Sequence, residues 1–571
     1  MTTPPKHARE GSEQIEAQYS GDDHESLFKE DLPPPVAESE PKMTLWQALR
    51  KWPRVSWYTL ALTSTILLWG FDNVLVGSVA AMPEFQKVYG IVDPDIEGGY
   101  IIPTNWLSIW NALGSVSAML GALLAGWLGD KIGRRWMLAS ATVLSASAVV
   151  IFIVSDRGTS IDQRCGLFFV GKVLNGLGIG SITTTSQVYL SETVPQQLRA
   201  SILPAFPVFQ LLGQIIGSVI IQVMMGVKGP NSYRISFATM WAFSIVPLIA
   251  SLIIPESPTW LLRKGKTSAA AKAHARLEAN KKFPGAHLAS FSRLQSTIAK
   301  SENQETKFGY LACFQGTNLR RTGIVVFANI LPEMFGLSMM GSASYYLQRV
   351  GVTPTTANLF MIIGIAIGLF ANISTFWVLS RFGRRKLILV TLVPAVLMWF
   401  SIGVAGTIQR EGTFIYWYVP VTMMVIIATV GLGVWPASYV VASETSTLRL
   451  RAKTSGVGWF VSGGVSASFG ALFPIFYNTD ALNLRAQTGY PVGGFAALSL
   501  VLAFFFVPEM KDRSAAEIDR MFELKIPARQ FKNWEAGSDN VPLVKRSGPG
   551  MGRRWFGKGY QRLGGKATGG S

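Results

Sequence analysis

Cysteine and histidine are nearly absent, at two and four in 571 residues. Two cysteines cannot build a disulfide framework, and so few thiol and imidazole groups make a zinc site a poor expectation. Charge is scarce as well. Charged residues make up 15% of the chain, whereas a soluble domain carries about 25%, so this surface has too little charge to meet water all round. Acids are the scarcer sign, 34 against 52 Lys and Arg, for a formal charge of +18. No nucleophile–base or metal constellation is found among the motifs, so neither an enzyme nor a cofactor is expected.

What the chain has instead is apolar length. Hydrophobic residues make up 49% and mean hydropathy is +0.30. A helix crosses the hydrocarbon core with about 20 apolar residues. Twelve candidates fall near 57–80, 106–128, 136–154, 166–189, 201–224, 236–254, 321–348, 356–379, 387–406, 415–441, 453–477 and 492–508. The predicted fold is an all-α integral membrane protein of twelve transmembrane helices. The first 56 residues are polar, contain Pro33-Pro34-Pro35 and show no cleavable signal, so they read as a disordered tail and the first span as its own insertion signal.

An even number of spans places both termini on one side, and charge says which. The short turns after spans 2, 4, 8 and 10 carry Lys131, Arg134, Arg135, Arg199, Arg381, Arg384, Arg385, Lys386, Arg449, Arg451 and Lys453. Such clusters mark cytoplasmic turns. The net charge is thus a topology signal, and no nucleic-acid partner is expected. The 255–320 connection should also be cytoplasmic, with a surface helix over 267–282. After the last span, Ile518, Phe522 and Ile526 share one face of an amphipathic stretch. Cys165 then falls near an outer loop and Cys313 in a cytoplasmic one, so they cannot pair. The sequon at Asn372 lies inside a span.

Three motifs recur in order at a nearly constant offset. Gly133-Arg134-Arg135 returns as Gly383-Arg384-Arg385. Ser191-Glu192-Thr193 with Leu198-Arg199-Ala200 returns as Ser443-Glu444-Thr445 with Leu450-Arg451-Ala452. Pro255-Glu256 returns as Pro508-Glu509. Each sits at an equivalent point of a six-helix unit, which predicts two pseudo-symmetric halves. The expected organisation is a tail (1–56), a six-helix half (57–254), a connection (255–320), a second half (321–508) and a cytoplasmic tail (509–571). Positive-inside topology would explain the arginines alone. It does not explain why Glu192 and Glu444 accompany Arg199 and Arg451 at the same spacing. Carboxylate–guanidinium pairs at these helix ends can close a cytoplasmic gate, with Asp130 beside Arg134 in the same network.

These motifs carry a family resemblance. Gly129-Asp130-Lys131-Ile132-Gly133-Arg134-Arg135 resembles the loop motif of the major facilitator superfamily. Pro255-Glu256-Ser257-Pro258-Thr259-Trp260-Leu261 is similar to the signature of its sugar-porter branch. Gly70-Phe71-Asp72, Gly77-Ser78, the run from Glu444 to Thr454, Thr488-Gly489 and Ile526-Pro527-Ala528-Arg529 resemble fungal α-glucoside:proton symporters of the maltose-permease type. The resemblance implies a transporter working by alternating access, a sugar-like substrate and a coupled proton. It departs in span 7, where Pro332-Glu333 stands in place of the glutamines usual before the glycine that is Gly336 here. In span 5, Gly213-Gln214 is kept, but Pro207 takes the place of a second glutamine.

An ionisable group inside a span costs at least ~2.5–3.5 kcal/mol at mid-membrane and so needs a partner or a function. Three are expected there: Asp72, Lys172 and Glu333. The histidines (His7, His24, His274 and His287) all lie outside the spans, so a proton relay has to use carboxylates. Asp72 and Lys172 stand where the resemblance places an acid–base pair for proton coupling, and a permanent ion pair tying two helices is the alternative. Glu333 could titrate, accept a hydrogen bond from substrate or face water. Candidate substrate contacts are Gln210, Gln214, Asn329, Tyr345, Tyr346 and Trp435, chosen as amides, hydroxyls and aromatic faces suited to sugars, together with Gly336 at the bend of span 7. The resemblance favours Gln214 and Trp435. Pro332, Gly336 and Gly341 interrupt span 7, which suits a helix that bends as an outer gate. Three functions compete: proton-coupled import of a sugar or glycoside, transport or export of another small molecule, and nutrient sensing without transport. The expected location is the plasma membrane.

Overall fold

Lipid offers no hydrogen bonds to a bare backbone, so a chain that spans it must satisfy its own N–H and C=O groups within helices. The computed structural model describes residues 52–93, 99–194, 206–278, 290–296, 298, 310–409, 412–447, 450–513, 515–536 and 542–544. Its long helices are α1 (Pro53–Val79), α2 (Thr104–Ile132), α3 (Arg134–Val154), α4 (Ile161–Thr193), α5 (Phe206–Met224) and α6 (Asn231–Ile253). After the connection, α7 runs in three pieces, Gly316–Met334, Leu337–Gly341 and Ala343–Arg349. Then come α8 (Pro354–Arg381), α9 (Arg384–Ile408), α10 (Thr413–Leu432 and Val434–Thr445), α11 (Arg451–Tyr477) and α12 (Gly489–Phe506).

Among the described residues, eleven helices are long and apolar enough to cross a membrane. α7 is the twelfth span and differs for a local reason. Arg320, Arg321 and Glu333 lower its apolarity, and the helix breaks at Gly336, whose φ of 95° a side-chain-bearing residue rarely adopts. Large apolar side chains such as Leu124, Val143, Ile249, Phe370, Leu397 and Phe505 lie exposed along the spans, as a lipid-facing surface requires.

Small residues set the packing within each half. A Cβ added to Gly180 of α4 would lie 1.9 Å from the Ala118 carbonyl oxygen of α2. One added to Gly213 of α5 would lie 2.1 Å from the Leu67 carbonyl oxygen of α1. Backbones therefore touch at these crossings. Between the halves, α2 packs on α11 and α5 on α8. Moving each helix six places on turns the first contact into the second, so the interface itself obeys the pseudo-symmetry.

The predicted spans match these helices, apart from their ends. α1 starts at Pro53, earlier than the expected 57, and the rest of the N-terminal tail lies outside the described residues. The surface helix is present over Thr267–Glu278, while 279–282 lie outside the described residues. The amphipathic stretch forms a helix, Ala515–Glu523, and Ile518, Phe522 and Ile526 are all buried. Cys165 and Cys313 are buried free thiols, and Asn372 is buried in α8, bonded to the Gly368 carbonyl at 3.0 Å. We expect Gly180→Val to destabilise the α2–α4 crossing by about 2–3 kcal/mol, as overpacking does. Thermal unfolding in detergent checks this; an unchanged melting temperature refutes the crossing.

Candidate functional site

The basic turns of the two halves share one construction. Gly133 has φ 97°, and a Cβ there would lie 2.3 Å from a carboxylate oxygen of Glu256. That carboxylate, arriving from beyond α6, accepts the backbone N–H of Arg134 at 2.9 Å and of Arg135 at 3.3 Å. It thereby caps the exposed N–H groups at the start of α3. The Arg135 side chain donates to the Ser251 and Leu252 carbonyls at the end of α6, at 3.1 and 2.6 Å. In the second half, a Cβ on Gly383 would lie 2.1 Å from Glu509, whose carboxylate accepts the Arg384 N–H at 2.9 Å. Arg385 donates to the Val507 and Phe504 carbonyls, both at 2.6 Å.

The ion pairs differ from those that the spacing suggests. Arg134 holds Glu192 with two nitrogens, at 2.9 and 3.2 Å, and Asp130 at 2.8 Å. Arg384 holds Glu444 at 2.9 Å. The arginine partner of each glutamate is thus the first arginine of the glycine turn. Arg451 is exposed and contributes only to the field at Glu444, which corrects the expected Glu444–Arg451 pair. Arg199 lies outside the described residues. These pairs tie helices within one half. The spacing argument does not find Glu256 and Glu509 as caps, although the repeated Pro-Glu dipeptide marks them.

Within the spans, Asp72 of α1 accepts a hydrogen bond from the Asn175 amide at 2.6 Å. Asn175 in turn accepts from Ser145 at 2.9 Å, forming a polar chain across α1, α4 and α3. Lys172 lies one turn before Asn175 on α4 and acts on Asp72 through its charge, without being its direct partner. Sequence reasoning misses Asn175, although its position three residues after Lys172 puts it on the same helix face.

Gln210 and Gln214 are partly exposed on α5, and among the described residues neither has a hydrogen-bond partner. The backbone of Gln210 crosses Gly70 of α1. On α7, the amide of buried Asn329 donates to the Val325 carbonyl at 2.8 Å, and its own backbone carbonyl accepts from Ser462 at 3.0 Å. Asn329 is thus engaged with protein. Glu333 is partly exposed and hydrogen-bonded by the hydroxyl and backbone N–H of Ser338 and by the hydroxyl of Ser466. Trp435 is buried on α10, its indole N–H 3.4 Å from the Tyr439 hydroxyl. Tyr345 and Tyr346 are fully buried, packed with Tyr477 at centroid distances of 6.0 and 5.7 Å.

These tyrosines belong to a seal on the face opposite the basic turns. There the end of α7 meets the α1–α2 connection. Arg349 forms an ion pair with Asp93, both side chains almost wholly buried, and Thr479 bonds the same carboxylate at 3.1 Å. Gln348 contacts Gln86 at 3.0 Å and the Ala81 carbonyl at 2.7 Å. Asn478 donates to Thr104 at 2.9 Å, and the Thr104 N–H donates to Asp480 at 2.9 Å. Every one of these bonds joins helices 1–6 to helices 7–12. The motifs single out neither Asp93 nor Arg349, because nothing in the chain marks residues so far apart as partners.

A family model described as "Sugar (and other) transporter" matches residues 57–522. The chain belongs to that family. Relatives of this transporter include "MFS transporter fmqE" of Aspergillus fumigatus, 27% identical over 90% of this chain and 96% of the relative. "Maltose permease MAL61" of Saccharomyces cerevisiae is 28% identical over 87% and 80%. Among solved structures, the inward-open xylose transporter XylE from E. coli aligns at TM-score 0.66 and 17% identity, covering 82% of this chain and 99% of that one. It shares the fold. Membership makes the chain a multi-pass membrane transporter of twelve helices in two halves, and not an enzyme.

The seal gives a direct expectation. Asp93→Asn or Arg349→Gln alone removes one charge of a buried ion pair, which costs about 3–5 kcal/mol. The double variant removes both charges and recovers most of that loss. Thermal unfolding of the three variants checks this; a double variant as unstable as the singles would show that the pair does not hold the seal.

Proposed function

We propose that the transporter imports a sugar or glycoside together with a proton, by alternating access between its two halves. The observation that carries this reading is the Asp72–Asn175 contact, with Lys172 one turn away, inside the spans. An ionised carboxylate there is held by an amide and a nearby positive charge. A proton taken up on Asp72 neutralises it and weakens its hold on Asn175, which changes the polar centre of the first half and so the balance between the two ways the halves can be arranged. The names of relatives support the sugar: maltose and α-glucoside permeases at 28% and 26% identity. One solved neighbour of the same fold is a proton:xylose symporter. Export of a non-sugar metabolite is the weaker reading, because those named relatives are sugar permeases.

In this reading the basic face is cytoplasmic, both termini lie there, and the membrane is the plasma membrane. Residues 57–254 and 321–508 move as two bodies, joined by the 255–320 connection and flanked by the tails 1–56 and 509–571. Gln210, Gln214, Glu333 and Trp435 meet the substrate, Asn329 and Gly336 shape the α7 wall, and Tyr345 and Tyr346 close over it. The outer seal, with Arg349–Asp93 at its centre, opens to admit substrate. The pairs Arg134–Glu192 and Arg384–Glu444 keep each half rigid while it rocks, and Asp130, Arg135, Arg199, Arg385 and Arg451 belong to the same gating face. The partners are thus a sugar-like solute, a proton and the lipid bilayer.

Asp72→Asn should abolish uphill accumulation while leaving exchange across the membrane measurable. Cells expressing the variant are given labelled maltose and other sugars at two external pH values. Accumulation that survives the substitution and still rises in acid would remove Asp72 from the coupling.

A further inference from the structure

Glu333 is a carboxylate inside a span with no cation beside it. Its donors are the hydroxyl and the backbone N–H of Ser338, across the break in α7, and the hydroxyl of Ser466 of α11. Among the described residues no Lys, Arg or His forms an ion pair with it, whereas Asp72 has Lys172 within reach of its charge. Even these three donors leave part of the acceptor capacity of a carboxylate unused, since each oxygen has two lone pairs. The residue is partly accessible and stands immediately before the helix break at Gly336.

An aromatic pair lies near the same spot. Tyr439, one turn after Trp435 on α10, lies close enough for its hydroxyl to feel the Glu333 charge. Its ring is stacked on Trp459 of α11, with centroids 5.7 Å apart. Tyr439 is partly exposed and Trp459 is exposed. A carboxylate with an electron-rich ring pair nearby suits an ammonium group. A neutral hydroxyl would be served as well by an amide, without the cost of a charge in the membrane. The chain places an acid here all the same.

We propose that Glu333, with Tyr439 and Trp459, forms a subsite for a cationic nitrogen, so that the preferred substrate is a sugar or glycoside bearing a protonated amino group. The inference rests on the sugar reading above and narrows it. The α7 carboxylate takes the ammonium, while partly exposed amides such as Gln210 and Gln214 remain for hydroxyls.

The full-length protein is purified in detergent and titrated with glucose, glucosamine, maltose and an amino-deoxy maltose, following the ligand-induced rise in melting temperature. The amino sugars should bind at least tenfold tighter than their neutral counterparts at neutral pH. Glu333→Gln should bring that ratio close to one, and Glu333→Asp should keep a preference for the amine. Neutral sugars that bind wild type as tightly as amino sugars would overturn this proposal while leaving sugar transport standing. A ratio unchanged in Glu333→Gln would overturn it in the same way. Failure of both kinds to bind wild type would overturn the proposal and the sugar reading together. Should Glu333→Gln not fold, the wild-type ratio alone decides.

Discussion

A charge removed from water has to be met by another group, and this constraint organises the molecule. Breaking a buried pair by removing one partner is far more costly than never having placed it, so each buried charge dictates which helices stay together. Arg134 joins Asp130 and Glu192 and so binds the α2–α3 turn to the end of α4. Arg349 joins Asp93 and so binds the end of α7 to the loop after α1. The first pair lies within a half and favours its motion as one body. The second lies between halves and holds one face of the molecule shut.

The duplication is a duplication of physics as much as of letters. In both halves a glycine makes room for a glutamate that caps the next helix. One arginine pairs with a glutamate, and the next clamps the carbonyl ends of another helix. The copies are unequal in support. Ser257 bonds Glu192 at 2.5 Å, and Trp260 donates to the Asp130 carbonyl at 3.0 Å. Among the described residues, the Arg384 Nε and one oxygen of Glu444 have no hydrogen-bond partner. The second turn is accordingly the less firmly held of the two, and where the halves rock as proposed it is the one that has more freedom to rearrange.

The seal and the polar groups within the spans fit a single picture. One face is joined by buried bonds across the halves, while the ionisable residues Asp72, Lys172 and Glu333 lie deeper in the helices. Asp72 has an amide and a nearby cation, whereas among the described residues Glu333 has only neutral donors, the hydroxyls of Ser338 and Ser466 and the Ser338 N–H. That asymmetry is the ground for the two roles proposed for them, proton carrier and substrate selector.

Much of this is legible in the chain because lipid leaves few choices. Apolar length sets the spans, lysine and arginine in short turns mark one face, and the repeated Gly-Arg-Arg and Pro-Glu motifs declare two halves. Even the break in α7 follows from Pro332 and Gly336. Pairings are less legible. The equal spacing of Glu444 and Arg451 suggests a local partner, yet Glu444 reaches Arg384 on another helix, since a helix end presents its side chains to neighbours across space. Tyr345 and Tyr346 look like substrate contacts in the chain and are packed inside the seal. Local pattern and hydropathy thus determine elements, faces and duplication, because those depend on neighbours in sequence and on solvent. Which charge meets which, and which face of the molecule is closed, depend on helices brought together by packing. Asp93 with Arg349 and Asp72 with Asn175 exist as partners only once the bundle has formed.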